Sequence, residues 1–171
     1  MASNKKLPGD SIYQMGSKWI TSEGKMIELK DFAGKPTILS MVFLSCKYLC
    51  PTIISEIQKV ESKIDPKIRE KIRVVLVSFD PKSDTPQVMK AYAKKRKLDN
   101  QHWVFITNKD DSKIRELAAI LNFKYKKEKD GDFTHSFMYL FLNEKGEILS
   151  RVDSAEQDTK QIVEAINKLK F

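Results

Sequence analysis

A chain of 171 residues, 41% hydrophobic and 32% charged, suits one soluble domain with a substantial core and excludes a disordered chain. Its formal net charge of +8 raises nucleic acid, an anionic membrane surface and an acidic protein as partners. The lysines are spread among acidic residues, no basic stripe carries interleaved aromatics, and no recognition helix or zinc finger is discernible, so nucleic acid is set aside.

The opening residues are polar and lack the apolar core of a signal peptide. Residues 1–10 are read as a flexible N-terminal segment that follows a removed signal or anchor, and residues 11–171 as a single domain. The longest strongly apolar run, 38–44, is too short to cross a bilayer, so the chain as given reads as a soluble domain.

Residues 19–21 and 26–29 flank Ser22-Glu23-Gly24-Lys25 and predict a hairpin, with a turn over 31–36. Residues 37–44 (TILSMVFL) form a nearly continuous apolar run of strand length, as a strand buried on both faces should. A loop over 45–50 follows, and Pro51 opens a helix, because its missing N–H is harmless in the first turn. Ile53, Ile54, Ile57, Val60 and Ile64 give that helix one buried face, and Asp65-Pro66 interrupts it.

Residues 72–79 (IRVVLVSF) predict a second buried strand that ends at Asp80-Pro81. Thr85-Pro86 is a cap and first-turn pair for a helix to about Lys95. A strand over 103–107 and a helix over 111–121 come next, then an exposed loop or ragged hairpin over 124–132. Residues 137–142 (FMYLFL) and 147–152 predict strands joined by a turn at 143–146, and an amphipathic helix over 156–169 closes the chain.

The order is a leading hairpin, then βαβαβα, then ββα. The alternating part requires parallel strands joined by right-handed crossovers, and the final hairpin adds antiparallel ones. This predicts an α/β domain of thioredoxin-like plan: a central mixed sheet flanked by helices, with an N-terminal β-hairpin. A flavodoxin-like sheet fits less well, because the terminal hairpin breaks its all-parallel order.

Two cysteines are too few for a disulfide-stapled scaffold, and their spacing of four points to local chemistry. In parallel α/β sheets, working loops gather at the carboxyl ends of the strands. Cys46 and Cys50 follow the 37–44 strand, and Asp80 follows the 72–79 strand. If residues 137–142 run antiparallel to these, that strand begins at the same rim, and His135 stands two residues before it. His102 precedes a strand, at the remote edge, and is read as structural.

Cys50 precedes Pro51 at a helix N-terminus, which favours thiolate, the form that binds metal or attacks a disulfide. A C-x-x-x-C loop can bring both sulfurs to one point, to clamp a metal or close a disulfide. Two thiolates and an imidazole suit Cu(I), and the nitrogen also accommodates Cu(II). Structural zinc usually has four protein ligands, yet ligand chemistry alone leaves zinc open. Met15, Met26, Met41, Met89 and Met138 are read as core.

Four segments resemble the Sco/SenC family, copper-handling proteins of cytochrome c oxidase assembly. They are GKPTILSMVFLSCKYLCP at 34–51, VSFDPKSDTPQVMKAYAKK at 77–95, the strand led by Trp103, and THSFMYLFLNEKGEI at 134–148. The resemblance implies a thioredoxin-like fold and Cu(I)/Cu(II) binding by Cys46, Cys50 and His135, with Asp80 behind the ligands. It implies delivery of copper or electrons toward the dinuclear site of oxidase subunit II, and a membrane-anchored domain on the periplasmic side of the inner membrane. In a eukaryote that compartment would be the mitochondrial intermembrane space. The family often carries Gly-Tyr-Thr before the first cysteine and an acidic residue between the cysteines and before the histidine. Here Phe43-Leu44-Ser45, Lys47-Tyr48-Leu49 and Thr134 stand at those places.

The leading expectation is a copper chaperone rather than a turnover enzyme. The alternative is a thiol–disulfide oxidoreductase, cycling Cys46 and Cys50, that reduces a partner's copper-ligand cysteines. A peroxiredoxin-like peroxidase fits poorly, because no activating Thr and Arg around one cysteine are evident.

Overall fold

The computed structural model describes residues 7–45 and 49–170, with only the backbone of residues 49–51. Cys46 therefore lies outside the described residues. Strands β1 (Lys18–Thr21) and β2 (Met26–Glu28) form the expected N-terminal hairpin. Three strands, β3 (Thr37–Val42), β4 (Arg73–Ser78) and β5 (Trp103–Thr107), run parallel in register, and every residue of β3 is buried. The apolar runs Ile38-Leu39 and Met41-Val42 in β3 and 74–77 in β4 follow from cover on both faces.

Strand β8 (Tyr139–Leu142) lies antiparallel to β3, and β9 (Ile148–Val152) antiparallel to β8. The seven-stranded order is β2-β1-β5-β4-β3-β8-β9, so the leading hairpin extends the sheet beside β5. Helix α1 (Leu49–Ser62) packs with α5 (Lys160–Asn167), which also covers β8 and β9. Helix α3 (Pro86–Lys95) covers β5.

Local chemistry explains most boundaries. The Thr85 hydroxyl accepts the Val88 N–H at 3.3 Å ahead of Pro86, which opens α3 as expected. Asp110 caps α4 (Asp111–Ile120) by accepting the Ser112 N–H at 3.0 Å. The first helix begins at Leu49, two residues before Pro51, which therefore sits in the first turn rather than opening it. Asp65-Pro66 does more than interrupt: it caps a short extra helix, α2 (Pro66–Arg69). The last helix starts later than the apolar pattern predicts, at Lys160, after a turn at 155–157.

The charged stretch 124–132 resolves into a hairpin of β6 (Tyr125–Lys127) and β7 (Phe133–His135), a separate two-stranded sheet. Of the methionines read as core, Met15, Met41, Met89 and Met138 are buried, but Met26 is 59% exposed. It occupies the edge strand β2, where the sheet has no further neighbour to cover it.

The β8–β9 turn carries a steric constraint. Gly146 has φ +82°, in the left-handed region, and a Cβ there would lie 2.5 Å from the buried ring of Tyr13. Its carbonyl also accepts the Ile12 N–H at 3.1 Å, tying the N-terminal strap to the turn. Gly146→Ala is expected to cost about 2–4 kcal/mol, read as a lower urea midpoint at unchanged slope. Gly131→Ala, which has the same φ sign but no neighbour within 4 Å of a Cβ, should cost less than half of that.

Candidate metal centre

The carboxyl ends of β3 and β4 form one rim. The Phe79 N–H donates to the Val42 carbonyl at 3.0 Å, prolonging the parallel ladder past the last strand residues. Beyond it, Phe43 and Leu44 stay buried while Ser45 is exposed. Cys46 lies two residues after Leu44 in sequence. Cys50 is the second residue of α1, described in its backbone only, in the turn where unpaired N–H groups favour a thiolate.

Phe79 is the hub of the rim. Its ring contacts Phe43 at 6.0 Å, Phe123 at 5.6 Å, Tyr125 at 4.8 Å, Phe133 at 5.3 Å and His135 at 5.3 Å between centroids. Phe133 also meets Phe43 edge-on at 4.8 Å. These contacts seat the β6–β7 hairpin on the strand ends; Phe133 meets Phe43 and Phe79 edge to face, a favourable arrangement, and the other pairs are tilted. From α4, Arg115 adds a guanidinium 3.9 Å over the Tyr125 ring and donates to the Tyr125 carbonyl at 3.2 Å.

His135 is thus brought to the rim as the sequence predicts, but as the last residue of β7 rather than a loop residue before β8. Its Nδ1 lies 2.9 Å from the Ser136 carbonyl oxygen. A carbonyl only accepts, so Nδ1 carries a proton, and the corresponding neutral tautomer has its lone pair on Nε2. That Nε2 is buried and has no hydrogen-bond partner among the described residues. Such an orphaned acceptor next to a strand end that leads into a cysteine loop fits a metal ligand. A shallow cleft of about 320 Å³, lined by Lys124, Lys126, Thr134 and His135, opens beside it.

Asp80 also reaches the rim and is 7% exposed. Among the described residues its hydrogen bonds run through the backbone: its N–H donates to Ser78 Oγ at 3.1 Å, and its carbonyl accepts the Asp84 N–H at 2.8 Å. The carboxylate with the central place is that of Asp84, which the sequence shows only within the DPKSDTP motif of the 77–95 segment. Burial pushes the Asp84 carboxyl up and the Asp80 charge adds to this, while the Ser78 hydroxyl and Leu44 N–H act the other way. His102 is remote and structural, its Nε2 paired to Glu61 Oε2 at 2.9 Å.

The mixed sheet and its helical flanks define a thioredoxin-like protein. A family model described as SCO1/SenC matches residues 11–170, and the chain belongs to that family. It is 24% identical over 137 residues to the SCO1 protein homolog of Bacillus subtilis, covering 78% of this chain and 70% of the relative. It is 30% identical over 136 residues to the mitochondrial SCO1 homolog 2 of Arabidopsis thaliana, covering 76% of this chain and 47% of the relative. The chain thus spans about half the length of that plant protein. The crystal structure of Arabidopsis thaliana ScoI with copper bound shares the fold, with a TM-score of 0.75, 23% identity, and coverage of 91% of this chain and 99% of that one. Among the described residues no helix is long and apolar enough to cross a membrane.

Burial pushes the Tyr125 hydroxyl up to about 12, with Arg115 acting the other way, and does the same to Tyr139, also to about 12. A phenol whose folded-state value exceeds its ordinary one stabilises the fold fully below pH 10 and loses that contribution as pH rises through 12. Urea midpoints should therefore fall across this interval, and the fall should be smaller in Tyr125→Phe. An identical fall in the variant would contradict the burial of this hydroxyl.

Proposed function

We propose that this chain is a copper metallochaperone that takes one copper ion on Cys46, Cys50 and His135 and passes it to a copper-receiving protein. The observation that carries the reading is the His135 imidazole, held at the Ser136 carbonyl with its Nε2 buried and, among the described residues, without a hydrogen-bond partner at the rim from which the chain runs on to Cys46. Family membership supports it, as does the fold shared with a relative solved with copper bound. Two thiolates and an imidazole form a soft donor set suited to Cu(I) and tolerant of Cu(II). Three protein ligands leave the cargo a coordination position through which an acceptor's thiolate enters before a donor thiolate departs. Cytochrome c oxidase subunit II is the proposed acceptor. The proposed setting is a membrane-anchored domain on the periplasmic side of the inner membrane, or in the mitochondrial intermembrane space of a eukaryote.

Anaerobic titration should give one Cu(I) or Cu(II) per chain. Cu(II) should produce a sulfur-to-copper absorption band, lost in Cys46→Ala and weakened in His135→Ala. Copper binding unchanged after removal of both cysteines would overturn the reading. The placement of Cys50 in the first turn of α1 also suits a thiol–disulfide oxidoreductase. That role predicts a cycling Cys46–Cys50 disulfide whose turnover is indifferent to His135→Ala.

A further inference from the structure

The polar groups at the ends of β3, β4 and β5 form one buried network. Asp84 Oδ2 accepts the Leu44 N–H at 3.0 Å and the Ser78 hydroxyl at 2.6 Å. Ser78 Oγ in turn accepts the Asp80 N–H at 3.1 Å, and the Ser78 carbonyl accepts the Thr107 hydroxyl at 3.0 Å. The Asp84 N–H closes the turn onto the Asp80 carbonyl at 2.8 Å. Asp84 is fully buried and Ser78 is 1% exposed.

Leu44 is the point where this network meets the cysteine loop. A chain of two residues spans at most about 7 Å, so whatever fixes Leu44 confines the start of the segment that carries Cys46. The other end of the loop is fixed at Cys50 by the first turn of α1. Among the described residues Asp84 Oδ1 is buried without a hydrogen-bond partner.

We propose that Asp84 is a positioning residue for the cysteine pair: through Leu44 and Ser78 it fixes the stem of the Cys46 loop. It thereby sets the dithiol/disulfide equilibrium of Cys46 and Cys50 and their readiness to take a metal. The inference deepens the metallochaperone reading and rests on it only for its copper arm.

The experiment compares the full chain with Asp84→Ala, Asp84→Asn, Ser78→Ala and, as a destabilised control at the opposite end of the sheet, Gly146→Ala. The Cys46–Cys50 equilibrium is read by thiol alkylation in glutathione redox buffers, without metal. Cu(I) affinity is read by competition with a chromophoric chelator. Asp84→Ala should shift the dithiol/disulfide equilibrium tenfold or more, about 30 mV, and weaken Cu(I) binding by about 10–100-fold. Asp84→Asn, which keeps an acceptor for the Leu44 N–H, should stay within threefold of the parent in both. Gly146→Ala should change neither.

If Asp84→Ala loses its cooperative urea transition, Ser78→Ala carries the test, with an expected threefold shift or more. Values within twofold of the parent in every folded Asp84 and Ser78 variant would overturn the proposal, and so would an equal shift in Gly146→Ala. A parent chain that binds no copper would end the metallochaperone reading while the redox arm still decides the role of Asp84.

Discussion

Burial of the parallel strands on both faces is the constraint from which the rest of the architecture follows. Strand β3 exposes none of its residues, and β4 exposes only part of Arg73. No chemistry can be carried along strands in that position, so everything polar that works with them is displaced to their ends. At the carboxyl ends this concentrates Ser78, Asp80, Asp84, Thr107 and Asn108, all buried. Each must find partners there, because a buried polar group without one costs free energy comparable to a lost hydrogen bond. The network that results also holds the peptide entering the cysteine loop.

The second structural element is aromatic. Phe79 sits between the parallel sheet and the β6–β7 hairpin, and the hairpin brings Tyr125, Phe133 and His135 around it. The histidine therefore reaches the rim by ring packing, while the sheet supplies the loop stem by hydrogen bonds. Two kinds of force meet at one site: directional bonds behind Leu44, and non-directional contacts behind His135.

Much of this was legible in the sequence. Apolar runs of strand length and the Thr85-Pro86 cap marked β3, β4 and α3 nearly to the residue, because in each case local propensity and tertiary placement agree. The position of His135 at the cysteine rim followed from strand direction alone. Less was legible where long-range packing overrides local pattern. Nothing in residues 124–132 announces that Tyr125 and Phe133 pair across a hairpin. Met26 reads like its buried counterparts until the sheet order places it on an edge. Asp84 lies in a motif that is visible in the sequence, but the motif does not say that its carboxylate reaches back 40 positions to Leu44. The sequence likewise leaves open that Asp80 acts through its backbone among the described residues.

The hairpin shares no ladder hydrogen bonds with the seven-stranded sheet. An element attached this way can be exchanged as a unit, since a replacement must reproduce a ring face and a chain entry rather than a strand register. Residues 124–136 thus behave as a cassette. A hairpin grafted there has to keep the Tyr125 and Phe133 rings against Phe79, while the face beside the histidine is open to redesign.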